Sequence, residues 1–142
     1  MSPTIAVLDD RLLIEELLRG LRVRRVELHT TSYWYYRACR AAVLGAGGQL
    51  SGPFEKLDAP EQASAIASLL RLRDDIALPD PRPVVPTMVA VAARHPRLNL
   101  MNLEAAAVGL VLGAVVWLSP KAAAGVLPPV LDAEGVRWKV GA

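Results

Sequence analysis

Two adjacent carboxylates, Asp9 and Asp10, follow directly on the apolar run Ile5-Ala6-Val7-Leu8. Paired carboxylates supply the hard oxygen donors that Mg²⁺ and Mn²⁺ take, and an ion held there can polarise a phosphodiester and generate hydroxide from water. A second use is open to Asp10, since its side-chain oxygen suits the N-cap of a following helix. Basic residues cluster next: Arg19, Arg22, Arg24 and Arg25 are either phosphate contacts or an ordinary solvated turn. Beyond them stand Tyr33-Trp34-Tyr35-Tyr36, Arg37 and Arg40, a set of rings and guanidinium groups able to stack on bases or to pack in a core. Arg24, Arg25, Arg37 and Arg40 are the candidate nucleic-acid contacts.

Other chemistries have little to work with. His29 and His95 are the two histidines and Cys39 the single cysteine, so there is neither a triad nor a ligand set for structural zinc. Gly45-Ala46-Gly47-Gly48 invites comparison with phosphate loops. The dinucleotide fingerprint, however, needs a glycine where Leu50 stands, no Lys-Ser/Thr pair follows, and the loop comes after a helix rather than a strand.

The elements that would position these groups follow from periodicity. The run at residues 5–8 reads as a strand buried on both faces, and Leu12, Leu13, Leu17 and Leu18 fall on one side of the helix after it. Asp9 then stands at the carboxyl end of the strand, where open α/β sheets place their crevices. Residues 26–29 alternate as a second strand, and Thr30, Thr31 and Ser32 offer three N-caps for a second helix. Residues 44–57 form a loop. Asp58, Pro60 and Glu61 make a capping box for a third helix running to about Arg73. Four prolines, Pro79, Pro81, Pro83 and Pro86, stiffen a connection, after which Thr87 caps a short fourth helix ending near Arg94. An apolar helix at residues 105–112, Gly113 as its C-cap, and a buried strand at residues 114–118 come next. Val136, Trp138 and Val140 alternate as a strand at the sheet edge. The predicted order is β-α-β-α-α-α-α-β-(short helix)-β.

At 142 residues, 53% hydrophobic and 21% charged, the chain suits one compact α/β domain over residues 1–142. A net charge of +2 is too mild by itself to announce nucleic-acid binding. One cysteine excludes an internal disulfide. With no leader or lipidation pattern and no apolar run long enough to span a membrane, the expected location is the cytoplasm.

These residues together resemble the PIN domain, the α/β ribonuclease fold of the toxin in many bacterial toxin–antitoxin pairs. Ile-Ala-Val-Leu-Asp-Asp-Arg-Leu-Leu is similar to the family's opening strand, first acid and helix. Arg94-His95-Pro96-Arg97-Leu98-Asn99-Leu100 is similar to its link into the late helix. Residues 102–112 followed by Gly113-Ala114-Val115-Val116-Trp117-Leu118-Ser119 are similar to its alanine-rich helix and closing strand. The resemblance implies a single α/β/α sandwich with a mainly parallel central sheet. It also implies a Mg²⁺ or Mn²⁺ site begun by Asp9 with Asp10, and a catalytic set to which Asn102 and Glu104 belong by position.

Three of the four acidic positions that the resemblance implies are not acidic here. The second falls at Tyr36 or Arg37, the third at Asn102, and the fourth has no counterpart in Ser119-Pro120-Lys121. Glu104 is two residues beyond Asn102, roughly 200° round a helix, and does not substitute without a change of register. A guanidinium at Arg37 would compete with a metal outright. The expectation is a PIN-like protein with weak or no nuclease activity that keeps partner or RNA binding. An active endoribonuclease recruiting Glu27, Glu55 or Asp58 and a metal-independent nucleic-acid module are the alternatives. Four consecutive rings on a helix advance about 100° each and cannot all face one buried stripe. Tyr33, Trp34 and Tyr35 are therefore expected at a homodimer contact or at the docking surface of an antitoxin-like partner, unless the loop at residues 45–57 covers them.

Overall fold

The computed structural model of the chain describes residues 3–21, 25–44 and 58–141. Five strands form one sheet: β1 (Thr4–Leu8), β2 (Val26–Thr30), β3 (Ile76–Ala77), β4 (Val115–Leu118) and β5 (Trp138–Val140), in the order β3-β2-β1-β4-β5. Every pairing is parallel. Parallel strands need crossovers that cover both faces, and this is why residues 5–8 and 115–118 are apolar without alternation. Leu8 stands beside Trp117, so the carboxyl ends of β1 and β4 are neighbours at the centre of the sheet.

Two cores result. On one face α1 (Asp10–Arg19), α2 (Ser32–Leu44) and α3 (Ala59–Leu70) bury Leu12, Leu13, Ala38, Ala41 and Leu69 against Ala6, Leu8, Leu28 and Trp117. On the other, α4 (Pro81–Arg94), α5 (Leu100–Leu112) and α7 (Leu127–Glu134) bury Val91, Ala105, Ala106, Val108 and Leu131 against Val7, Val116 and Leu118. A short helix, α6 (Pro120–Ala123), follows β4 directly. The result is the α/β/α sandwich with a parallel sheet that the sequence led one to expect. Small residues on α5 let it lie close to the sheet. A Cβ added to Gly109 would come within 2.7 Å of Val136 Cγ1 and 3.3 Å of Val116 Cγ2.

Several local expectations need correction. The N-cap of α1 is Asp9 and not Asp10, because Asp9 Oδ1 accepts the Leu12 N–H at 2.9 Å. The proline-rich stretch is no connection: Asp80 caps α4 there, and Pro81 and Pro83 stand in the first turn, whose N–H groups have no intrahelical partner to lose. Thr87 lies inside that helix and donates to the Pro83 carbonyl at 2.9 Å instead of capping. α3 stops at Leu70, and the two-residue edge strand β3 follows where none was expected. α5 begins at Leu100, capped by Asn99, and two helices rather than one separate β4 from β5. Arg22, Arg24, Glu55 and the glycine-rich loop at residues 45–57 lie outside the described residues. Among the described residues no helix is long and apolar enough to cross a membrane.

Candidate functional site

The carboxyl ends of β1 and β4 meet at Asp9. This residue is fully buried. Its Oδ1 accepts from Leu12 N, and its Oδ2 accepts from both the backbone N–H and the hydroxyl of Ser119, at 2.7 Å each. Burial pushes the Asp9 carboxyl above its ordinary range, against the lowering effect of the Leu12 and Ser119 hydrogen bonds, while the neighbouring charge of Asp10 adds to the rise. Asp9 thus ties the start of α1 to the end of β4, and both of its oxygens are committed.

Asp10, the first residue of α1, points toward α2. Its Oδ1 accepts from the Arg11 N–H at 3.0 Å, and its Oδ2 accepts from Arg37 Nε at 3.1 Å. The ion pair is partly sheltered, with side-chain exposures of 13% for Asp10 and 27% for Arg37. Sequence spacing put Arg37 near this place; the structure brings it into contact.

Glu104 has a different partner. Its two oxygens accept from the N–H groups of Ser32 (3.0 Å) and Tyr33 (2.8 Å), the first turn of α2. Thr31 Oγ1 takes the Trp34 N–H at 3.0 Å. The exposed donors of a helix N-terminus and its partial positive charge make this a favourable seat for a carboxylate. Asn102 is buried one half-turn earlier on α5 and caps nothing; its own N–H goes to Asn99 Oδ1 at 2.9 Å. Of the other carboxylates considered, Asp58 caps α3 through Glu61 N, and Glu27 lies 3.5 Å from His29 on β2.

A divalent ion would require several of these oxygens to be free and to converge. Both oxygens of Asp9 and both of Glu104 are held by protein donors, and Asp10 is held by a guanidinium. Among the described residues no group of three or more His, Cys, Asp or Glu side chains could hold a metal ion. The donor set does not fit Mg²⁺ or Mn²⁺.

A small cavity of about 190 Å³ lies over the Asp10–Arg37 pair, lined by Arg11, Trp34, Met101, Ser119 and Lys121 as well. Arg11 and Lys121 are functional candidates that the sequence did not disclose. Each stands next to a residue that did draw notice, Asp10 and Pro120, but only the pairing of β1 with β4 makes them neighbours. Arg25 lies elsewhere. It precedes β2, at the amino-terminal edge of the sheet, and takes a left-handed backbone with φ of 56°. Arg40 is on α2 with its guanidinium carbon 6.0 Å from the Tyr36 ring centre.

The four rings of α2 divide as helix geometry requires. Trp34 is 2% exposed and belongs to the core under α5, and the Tyr35 hydroxyl donates to the Leu69 carbonyl of α3 at 2.9 Å. Tyr33 and Tyr36 face outward in an edge-to-face pair with centres 6.2 Å apart. The exposed aromatic surface is therefore Tyr33 with Tyr36, a residue not placed at the interface from the sequence.

No family model matches the sequence, and no curated protein matches it. The fold is similar to that of a chain in the 2.2 Å resolution structure of VapBC-1 from nontypeable Haemophilus influenzae. The TM-score is 0.55 and the identity 13%, over 96% of this chain and 98% of that one. At this identity the likeness is one of architecture: the chain has a PIN-like fold.

Proposed function

We propose that the chain is a PIN-like protein of the toxin–antitoxin kind in which metal-dependent RNA cleavage is weak or absent, and in which the fold serves to bind an antitoxin-like partner or RNA. One observation carries this: Arg37 Nε donates to Asp10 Oδ2 at 3.1 Å. A positive charge thus stands at the position where the PIN resemblance implies the second acidic ligand. The likeness to a chain of VapBC-1 supports the toxin-like half of the proposal. On this view the protein acts in the cytoplasm as a single domain, and Tyr33 and Tyr36 form the centre of a protein contact with Arg40 at its rim.

Calorimetric titration with Mn²⁺, run beside cleavage of single-stranded RNA in Mg²⁺ or Mn²⁺, tests the proposal. Asp10→Ala is the informative variant, because Asp9→Ala removes a buried clasp and threatens the fold. Neither tight Mn²⁺ binding nor metal-dependent cleavage is expected of the wild type. Tight binding and cleavage, both lost in Asp10→Ala, overturn the proposal.

A further inference from the structure

We infer that the cavity beside the Asp10–Arg37 pair is an anion site that takes a phosphoryl group through Arg11, Arg37 and Lys121. The inference rests on the proposed function, in which this crevice has no divalent ion to hold. Its lining has three cationic side chains and one carboxylate, the opposite balance to a metal centre. Arg37 spends only its Nε on Asp10, and its two terminal nitrogens have no partner among the described residues. Neither the Arg11 guanidinium nor the Lys121 ammonium forms an ion pair among the described residues. Like charges gathered in a concavity repel one another, and an oxyanion relieves that repulsion while accepting the forked donors of arginine.

Size and the remaining lining narrow the class of ligand. At about 190 Å³ the cavity lies below the range of about 300–1,000 Å³ usual for whole small-molecule ligands, so it suits one group or a small ion. Trp34 borders it and is 2% exposed, giving the cavity one aromatic wall. The phosphoryl group can come from free phosphate or from a nucleic-acid backbone.

The test is calorimetry with chelator present, titrating first inorganic phosphate and then a short single-stranded oligouridylate. Wild type is compared with Arg11→Ala/Lys121→Ala, with Arg11→Gln/Lys121→Gln as a second pair that keeps side-chain bulk, and with Arg137→Ala as an exposed control just before β5, at the opposite end of the sheet. Binding of either probe that weakens about tenfold or more in both double variants and not in the control supports the site. For the oligonucleotide, the slope of log affinity against log salt should also fall by about 0.7 for each contact removed. Phosphate binding assigns the free anion as the source, and oligonucleotide binding without it assigns the backbone. If neither probe binds, or the double variants match the control, the site is refuted. A Mn²⁺ titration of the same proteins, dialysed free of chelator, separates the two failures: no anion and no Mn²⁺ removes only this site, whereas tight Mn²⁺ binding removes the functional proposal beneath it.

Discussion

Ser119 donates twice to Asp9, its backbone N–H and its hydroxyl both reaching Oδ2 at 2.7 Å across 110 positions of the chain. The two bonds join the ends of β1 and β4 through a carboxylate that is fully buried. Ser119→Ala should lower the unfolding free energy by about 1–3 kcal/mol, the usual cost of leaving a buried acceptor short of a donor. The pH dependence has a definite sign. Because burial raises the folded Asp9 pKa above 3.8, the native state binds its proton more tightly than the unfolded chain does, and this residue's contribution worsens as pH rises through that window. Losing the hydroxyl donor raises the folded value further. Urea unfolding should therefore show a larger deficit at neutral than at acid pH; equal stabilities at neutral pH would refute the clasp.

At the far side of the sheet, Arg94 grips Glu134 with two bonds of 2.8 and 2.6 Å, and His95 Nε2 adds a third contact at 2.9 Å. Chiefly through Arg94, and then through His95, the Glu134 pKa falls from 4.5 to about 2. The stabilisation is complete above pH 4.5 and is lost as pH falls toward about 2. Glu134→Gln should flatten this part of the acid unfolding curve. An unchanged acid limb in that variant would show that the ends of α4 and α7 are held by other means.

Arg37→Glu should convert the crevice from a site that repels cations to one that attracts them. It frees Asp10 and adds a second carboxylate beside it. Without metal the like charges repel and the variant should melt below wild type. Added Mn²⁺ should raise its melting temperature in a concentration-dependent way, since a ligand at 100 times its Kd contributes about 2.7 kcal/mol. Wild type should show no such dependence. Flat melting temperatures in both proteins would mean that the second carboxylate does not reach Asp10.

The aromatic cluster gives two contrasting substitutions. Trp34→Ala removes a buried ring and should cost about 3–5 kcal/mol. Tyr36→Ala removes a ring that is 58% exposed and should change stability by no more than about 0.5 kcal/mol. In sedimentation equilibrium Tyr36→Ala should shift the protein toward monomer. Identical sedimentation of this variant and wild type at every concentration would remove the Tyr33–Tyr36 face from any self-contact.

What could be read from the chain alone was local. Unbroken apolar runs marked β1 and β4, Asp58 with Pro60 and Glu61 marked the start of α3, and Gly113 marked the end of α5, because each signal lies within a few residues of its effect. The start of α4 was legible in principle, for Asp80-Pro81 is a cap followed by a first-turn proline; the density of prolines obscured it. β3 was not, since two residues carry no periodicity and its pairing with Leu28 and His29 is tertiary. The site divided the same way. Asp9 announced itself by its place at a strand end, but the roles of Asp10 and Glu104 depend on partners 27 and more than 70 positions away.

Glu104 holds the first turn of α2 from across the crevice, so this carboxylate now belongs to the folding of the molecule. Asp9 is equally engaged between α1 and β4. Redirecting Glu104 to an ion would leave the Ser32 and Tyr33 N–H groups without their acceptor, with Thr31 alone still capping α2 through the Trp34 N–H. Recruiting Glu104 to any other ligand therefore carries a stability cost at the far end of α2's own hydrogen bonds, in a different layer of the fold.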